Sequence, residues 1–168
     1  MELGRVDILY EFATMSTHLA MPRIGHLQEL FHMFGYLKVN PKRKLAFDPD
    51  HPMVNERQFK RYGWHDFYRG FKEAIPGDMP TPRGNDASTH CFVDADLARN
   101  SVHRRSQTGI LIFVNRAPII WYSKRQNTVK FSTFGSEITA MKNSIELIEA
   151  LRYKLRVFGV PVDGATNR

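Results

Sequence analysis

Two carboxylates stand at positions where they could share a metal ion. Asp94 lies near the end of a short strand-like stretch, HCFVDADL, and Glu137 opens a long stretch with helical periodicity. A strand ending in an aspartate, two further strands and then a helix with a glutamate in its first turn would carry both groups to one end of a sheet. Hard carboxylate oxygens suit magnesium, which keeps coordination positions open for phosphate oxygens. Paired metals held in this way hydrolyse phosphodiesters. The same residues have structural uses: an aspartate at a strand end caps the turn, and a glutamate in a first helical turn is favoured by the helix dipole.

The basic residues add to this. The chain has 168 residues, with 24 Lys+Arg against 17 Asp+Glu and a net charge of +7. Residues 97–136 contain no acid, yet hold Arg99, Arg104, Arg105, Arg116, Lys124, Arg125 and Lys130, which equal the whole excess. A basic window of this kind, bounded by Asp94 and Asp96 on one side and Glu137 on the other, points to a polyanion partner, because neutralising phosphates with Lys and Arg releases counterions.

Other chemistries find little support. A lone cysteine, Cys91, excludes an intramolecular disulfide and paired-cysteine zinc sites, and reads as a small buried hydrophobe. The seven histidines show no helical metal-binding spacing, and no nucleophile elbow or phosphate-binding glycine loop occurs. No apolar run approaches the roughly 20 residues of a membrane span. The N-terminal residues do not have the pattern of a secretory signal, so an intracellular, cytoplasmic or nuclear protein without a membrane partner is expected.

The elements that must position these groups can be read from periodicity. Residues 3–39 read as two helices broken near Pro22, the second over Gly25–Val39 with Leu27, Leu30, Phe31, Phe34 and Leu37 on one face. Between Ala46 and His90 prolines and glycines are frequent. An aromatic stretch from Phe59 to Phe71, interleaved with basic residues, suits packing and could also stack bases. The expected domains are a helical region over 1–75, a linker over 76–89 and a second domain over 90–168. In that domain 90–97, 108–115 and 119–124 read as three strands in an antiparallel meander. Thr133–Val157 reads as one helix with Ile138, Met141, Ile145, Ile148, Leu151 and Leu155 as its apolar face, ended by Gly159 and Pro161.

The order of motifs then carries a resemblance. Asp94-Ala95-Asp96, Arg104 to Gly109, Ile120 to Gln126 with Thr128-Val129, and Ser132-Thr133 ahead of Ser136-Glu137-Ile138 together resemble the ribonuclease H domain of copia-type retrotransposon polyproteins. Gly4 to Ile8, Pro22-Arg23, Gly25 to Leu27 and Tyr36 to Lys38 are similar to the thumb and connection region that precedes it, so the resemblance covers nearly the whole chain.

The resemblance implies a partial ribonuclease H-like α/β fold and cleavage of RNA in RNA–DNA hybrids with two magnesium ions. Asp94 and Glu137 would be the catalytic metal ligands and Asp96 an outer-shell residue. Arg104, Arg105, Lys124, Arg125 and Lys130 would be nucleic-acid contacts, with Trp121 and Gln126 in strand packing and the basic edge. Leu97 replaces the family's tryptophan, and Phe134-Gly135-Ser136 its acidic or polar run. The family's third aspartate, on a fourth strand, is not matched, since Asp163 reads as part of a turn; no Tyr-x-Asp-Asp polymerase element occurs. The expectation is therefore a fragment with later strands missing, an open edge along Cys91–Asp96 and a marginal stability. It would have little or no nuclease activity of its own, and its partners would be nucleic acid and the rest of the polyprotein. A non-catalytic nucleic-acid-binding transposon remnant is the alternative.

Overall fold

The computed structural model describes residues 5–53, 75–97 and 104–167, with backbone alone for 163–167. The aromatic stretch Phe59–Phe71 and Arg99 lie outside the described residues. A 3-10 turn, Val6–Ile8, leads into α1 (Leu9–Ser16) and then α2 (Ile24–Val39). Arg23 adopts extended backbone after Pro22, and its N–H donates to Nδ1 of His26, three residues into α2, over 3.1 Å. This side-chain acceptor satisfies one of the donors a helix start leaves open. Tyr36 on α2 donates to Asp7 over 2.8 Å, and Asp7 also holds Arg5 at 3.0 Å, which ties the 3-10 turn ahead of α1 to α2.

The second half is a four-stranded sheet with one long helix. Its strands are β1 (Ala87–Asp96), β2 (Arg105–Val114), β3 (Ala117–Val129) and, after α3 (Thr133–Val157), β4 (Val162–Asn167). Strand β1 begins inside the stretch read as linker: Ala87 and Thr89 are buried. The expected meander is present, β1 antiparallel to β2 and β2 to β3. The β2–β3 turn is tight, with Asn115 at φ 54, a left-handed conformation that asparagine tolerates better than most residues.

Two expectations are corrected here. The fourth strand is not missing: the sheet order is β3-β2-β1-β4, and β4 pairs parallel to β1 from Ala87↔Val162 to Cys91↔Asn167. The β1 edge is thus covered over Ala87–Cys91, whereas Phe92–Asp96, most of the edge expected to be open, pairs with no residue of β4; Asp163 belongs to a strand. Position in the fold overrides the poor strand propensity of Val-Asp-Gly-Ala-Thr-Asn. At the end of α3, Gly159 takes φ 72, the Val160 N–H closes on the Leu155 carbonyl, and the Ala87 N–H bonds to the Pro161 carbonyl at 2.8 Å, which launches the chain alongside β1.

The second correction concerns α3. Its buried stripe is Ser136, Ala140, Ser144, Ile148 and Arg152, while Ile138, Met141 and Ile145 of the expected core face are 49%, 50% and 39% exposed. Residues four apart stack on one helix face, and small ones let the helix lie close to the sheet. The core is Cys91, Ile110, Ile112 and Ile148, packed by Val93, Ile120, Tyr122, Leu147 and Leu151. Burial pushes the Cys91 thiol up, partly offset by the Ser144 hydroxyl.

The N-terminal half docks on this sheet. Helix α1 packs against β3. At the other end of the sheet, Arg116 in the β2–β3 turn pairs with Asp48 at 3.1 Å.

Candidate functional site

Register decides which residues share the end of the sheet. Three rows cross β1, β2 and β3: Asp94–Gly109–Ser123, Ala95–Thr108–Lys124 and Asp96–Gln107–Arg125. Side chains alternate along a strand. Ala95 and Thr108 are buried beneath α3, so the Asp94 and Asp96 rows lie on the opposite face. There Asp94 is exposed, Asp96 is half-buried, and Gln107 donates to the Ser123 hydroxyl over 3.0 Å. Gly109 leaves open space between Asp94 and Ser123, with nothing within 4 Å of where a Cβ would stand.

Asp96 has a partner from the other half of the chain: Tyr10 on α1 donates to its Oδ2 over 3.3 Å. Helix α1 therefore reaches the acidic end of β1. A lone aspartate at a strand end gives no sign in the sequence of such a contact 86 residues away.

Glu137 is half-buried in the first turn of α3, next to the fully buried Ser136. That turn is built by local bonds. The Ser132 hydroxyl caps the helix by accepting from the Gly135 N–H at 3.1 Å, and the Ser136 hydroxyl donates to the Thr133 carbonyl at 2.7 Å. It is joined to the sheet by Gln126, whose Nε2 donates to both the Thr108 hydroxyl (3.0 Å) and the Ser136 carbonyl (2.9 Å). Gln126 is 5% exposed, and its Oε1 is buried without a partner. The sequence reading placed Gln126 only in strand packing and the basic edge. The signal that was available is a polar residue two positions from Lys124, on the inward side of a strand.

The basic residues divide. Arg105 pairs with Val129, Lys124 with Thr108 and Arg125 with Gln107. Arg104 precedes β2 at φ 50, and the stem of Lys130 runs beside Gly135 at the start of α3. These five sit at the end of the sheet that holds Asp94 and Asp96. Arg116 sits at the opposite end and is engaged by Asp48.

Magnesium would require more than these acids provide. Among the described residues, no group of three or more His, Cys, Asp or Glu side chains could hold a metal ion. Asp94 and Glu137 alone, with Asp96 engaged by Tyr10, do not fit a two-ion centre. Nor is any helix among the described residues long and apolar enough to cross a membrane.

Comparison with known proteins gives two distant relatives. A retrovirus-related Pol polyprotein from transposon RE1 of Arabidopsis thaliana is 26% identical over 140 residues, 83% of this chain and 7% of that protein. A retrovirus-related Pol polyprotein from transposon RE2 of the same plant is 23% identical over 156 residues, 93% of this chain and 8% of that protein. The chain thus spans less than a tenth of the curated relatives it matches. No family model and no solved structure matches. The two similarities support a fragment of a transposon-derived Pol polyprotein.

Proposed function

We propose that this chain is the part of a copia-type retrotransposon Pol polyprotein in which a thumb and connection-like region, residues 1–75, leads into the start of a ribonuclease H domain, residues 90–168. The intact polyprotein cleaves RNA in RNA–DNA hybrids with magnesium. The 168-residue chain binds nucleic acid and does not cleave it. The observation that supports this best is the register, which sets Asp96 in one row with Gln107 and Arg125 and Asp94, on the same face, in the row of Gly109 and Ser123. Phosphate contacts and carboxylates at one sheet end are what cleavage of a nucleic-acid backbone needs. The partners are a hybrid duplex and the remaining polyprotein, in cytoplasm or nucleus.

The alternative, a binding remnant without catalysis in any form, draws on the absence of a metal cluster among the described residues. One experiment separates the two. The 168-residue chain and the same chain extended by the polyprotein sequence that follows Arg168 are each assayed on a labelled RNA–DNA hybrid with and without magnesium. Cleavage by the extended chain alone, lost in Asp94→Asn with binding retained, is the expected result. Cleavage by neither form, or cleavage indifferent to Asp94→Asn, overturns the ribonuclease reading.

A further inference from the structure

We infer that Gln126 is a positioning residue, latching the first turn of α3, and with it Glu137, to the sheet end that carries Asp94. The inference rests on the ribonuclease reading for Glu137's role, whereas the latch itself rests on geometry alone. A carbonyl can only accept, so the bond to Ser136 fixes which end of the amide is Nε2, and the second N–H then reaches Thr108. One side chain on β3 thereby holds β2 and the helix together. Thr108 pairs with Ala95, the residue between Asp94 and Asp96, and Ser136 immediately precedes Glu137. The path from one acid to the other therefore runs through one cross-strand pairing and the two hydrogen bonds of Gln126.

The orientation leaves Oε1 buried and unpartnered. A buried orphan acceptor is costly, so an amide chosen for stability alone is poorly placed here. An isosteric apolar side chain would remove the orphan but also withdraw the donors from the buried Thr108 hydroxyl and the Ser136 carbonyl. Gln126→Met thus removes the latch with opposing effects on stability that partly cancel, which helps to separate positioning from scaffolding.

The first test uses the 168-residue chain. Hydrogen exchange of the amides of 135–140 is expected to speed at least tenfold in Gln126→Met, with the rest of α3 and the melting temperature, within about 3 °C, unchanged. Unchanged exchange overturns the latch. The second test uses the extended chain that cleaves hybrid. Because a displacement of about 1 Å costs on the order of 100-fold, Gln126→Met is expected to lower kcat by roughly 10- to 100-fold with KM within about twofold. Thr108→Val lowers kcat while Thr108→Ser restores it, and Thr108→Val adds nothing to Gln126→Met. Equal kcat in wild type and Gln126→Met overturns the positioning role. A fall in melting temperature that tracks kcat reduces Gln126 to scaffolding. If the extended wild-type chain cleaves nothing, the ribonuclease reading fails and the positioning role with it, while the exchange result still decides the latch.

Discussion

Asn115, in the β2–β3 turn, donates from Nδ2 to the carbonyl of Pro49 over 2.8 Å, joining the sheet to a segment 66 residues earlier. Its Oδ1 accepts from the Ser88 N–H at 2.9 Å and the Ser88 hydroxyl at 3.2 Å, and its own N–H donates to the Ser88 carbonyl. One residue thus closes the hairpin, secures the start of β1 and holds the N-terminal half. Asn115→Ala removes three side-chain bonds, leaves the Ser88 N–H unsatisfied and puts at φ 54 a residue that tolerates the left-handed region less well than asparagine. The expected loss is about 2 to 3 kcal/mol by denaturant unfolding. Asn115→Gly loses the same bonds without the left-handed strain and is expected to be about 1 kcal/mol better than alanine.

Binding to nucleic acid is expected to depend on salt to an extent set by the sheet. Five basic residues share the acidic end, so log K for a hybrid duplex falls against log salt with a slope no steeper than about −4.5. Replacing Lys124 and Arg125 with glutamine lowers that slope in magnitude by about 2. Arg116→Gln leaves it nearly unchanged, since Arg116 lies at the other end and pairs with Asp48. Fluorescence anisotropy over a salt series measures all three, and an Arg116 effect equal to that of Lys124 and Arg125 would remove the site from the acidic end.

Acid is expected to loosen the 3-10 turn Val6–Ile8 from α2. The Arg5 guanidinium, and after it the Tyr36 hydroxyl, hold the Asp7 carboxyl down at about 2, below its ordinary 3.8. A depressed carboxylate contributes stability that is present in full above 3.8 and is lost as pH falls through about 2. The pair lies at the surface, with the Asp7 side chain 22% exposed, so the effect is small and screened by salt. The Tyr36 ring resonances should titrate in that window by NMR and should not do so in Asp7→Asn.

Much of the second half was legible because its signals are local. Helix α3 runs over Thr133–Val157 as its apolar periodicity and its stop at Gly159 and Pro161 indicate. Strands β2 and β3 run beyond the apolar stretches that mark them. The Lys124-Arg125-Gln126 stretch looks polar, and only pairing with Gln107 and Thr108 keeps it in the sheet. What escaped depends on distance in the chain. Strand β4 forms because β1 offers a partner, and no periodicity marks it. The buried face of α3 departs from its apolar face because apolar spacing favours Ile138, Met141 and Ile145, whereas close packing on the sheet selects Ser136, Ala140 and Ser144. Of the site, the acids and bases could be read by residue type. The bonds from Tyr10 and Gln126 could not, since a polar side chain does not declare its partner.

Strand β4 also sets a clock. Chain growth from the end of β1 to the end of β4 takes about 70 residues, or about 4 to 14 s at ordinary rates of protein synthesis. Throughout that interval the backbone donors and acceptors of Ala87–Cys91 have no neighbour on that side within the nascent chain. Because the closing contact bridges the whole helix, its loop entropy makes it late in refolding too. A ribosome that stalls within α3 would leave a three-stranded sheet with an open centre-strand edge, the form in which this protein is most exposed to capture by other chains.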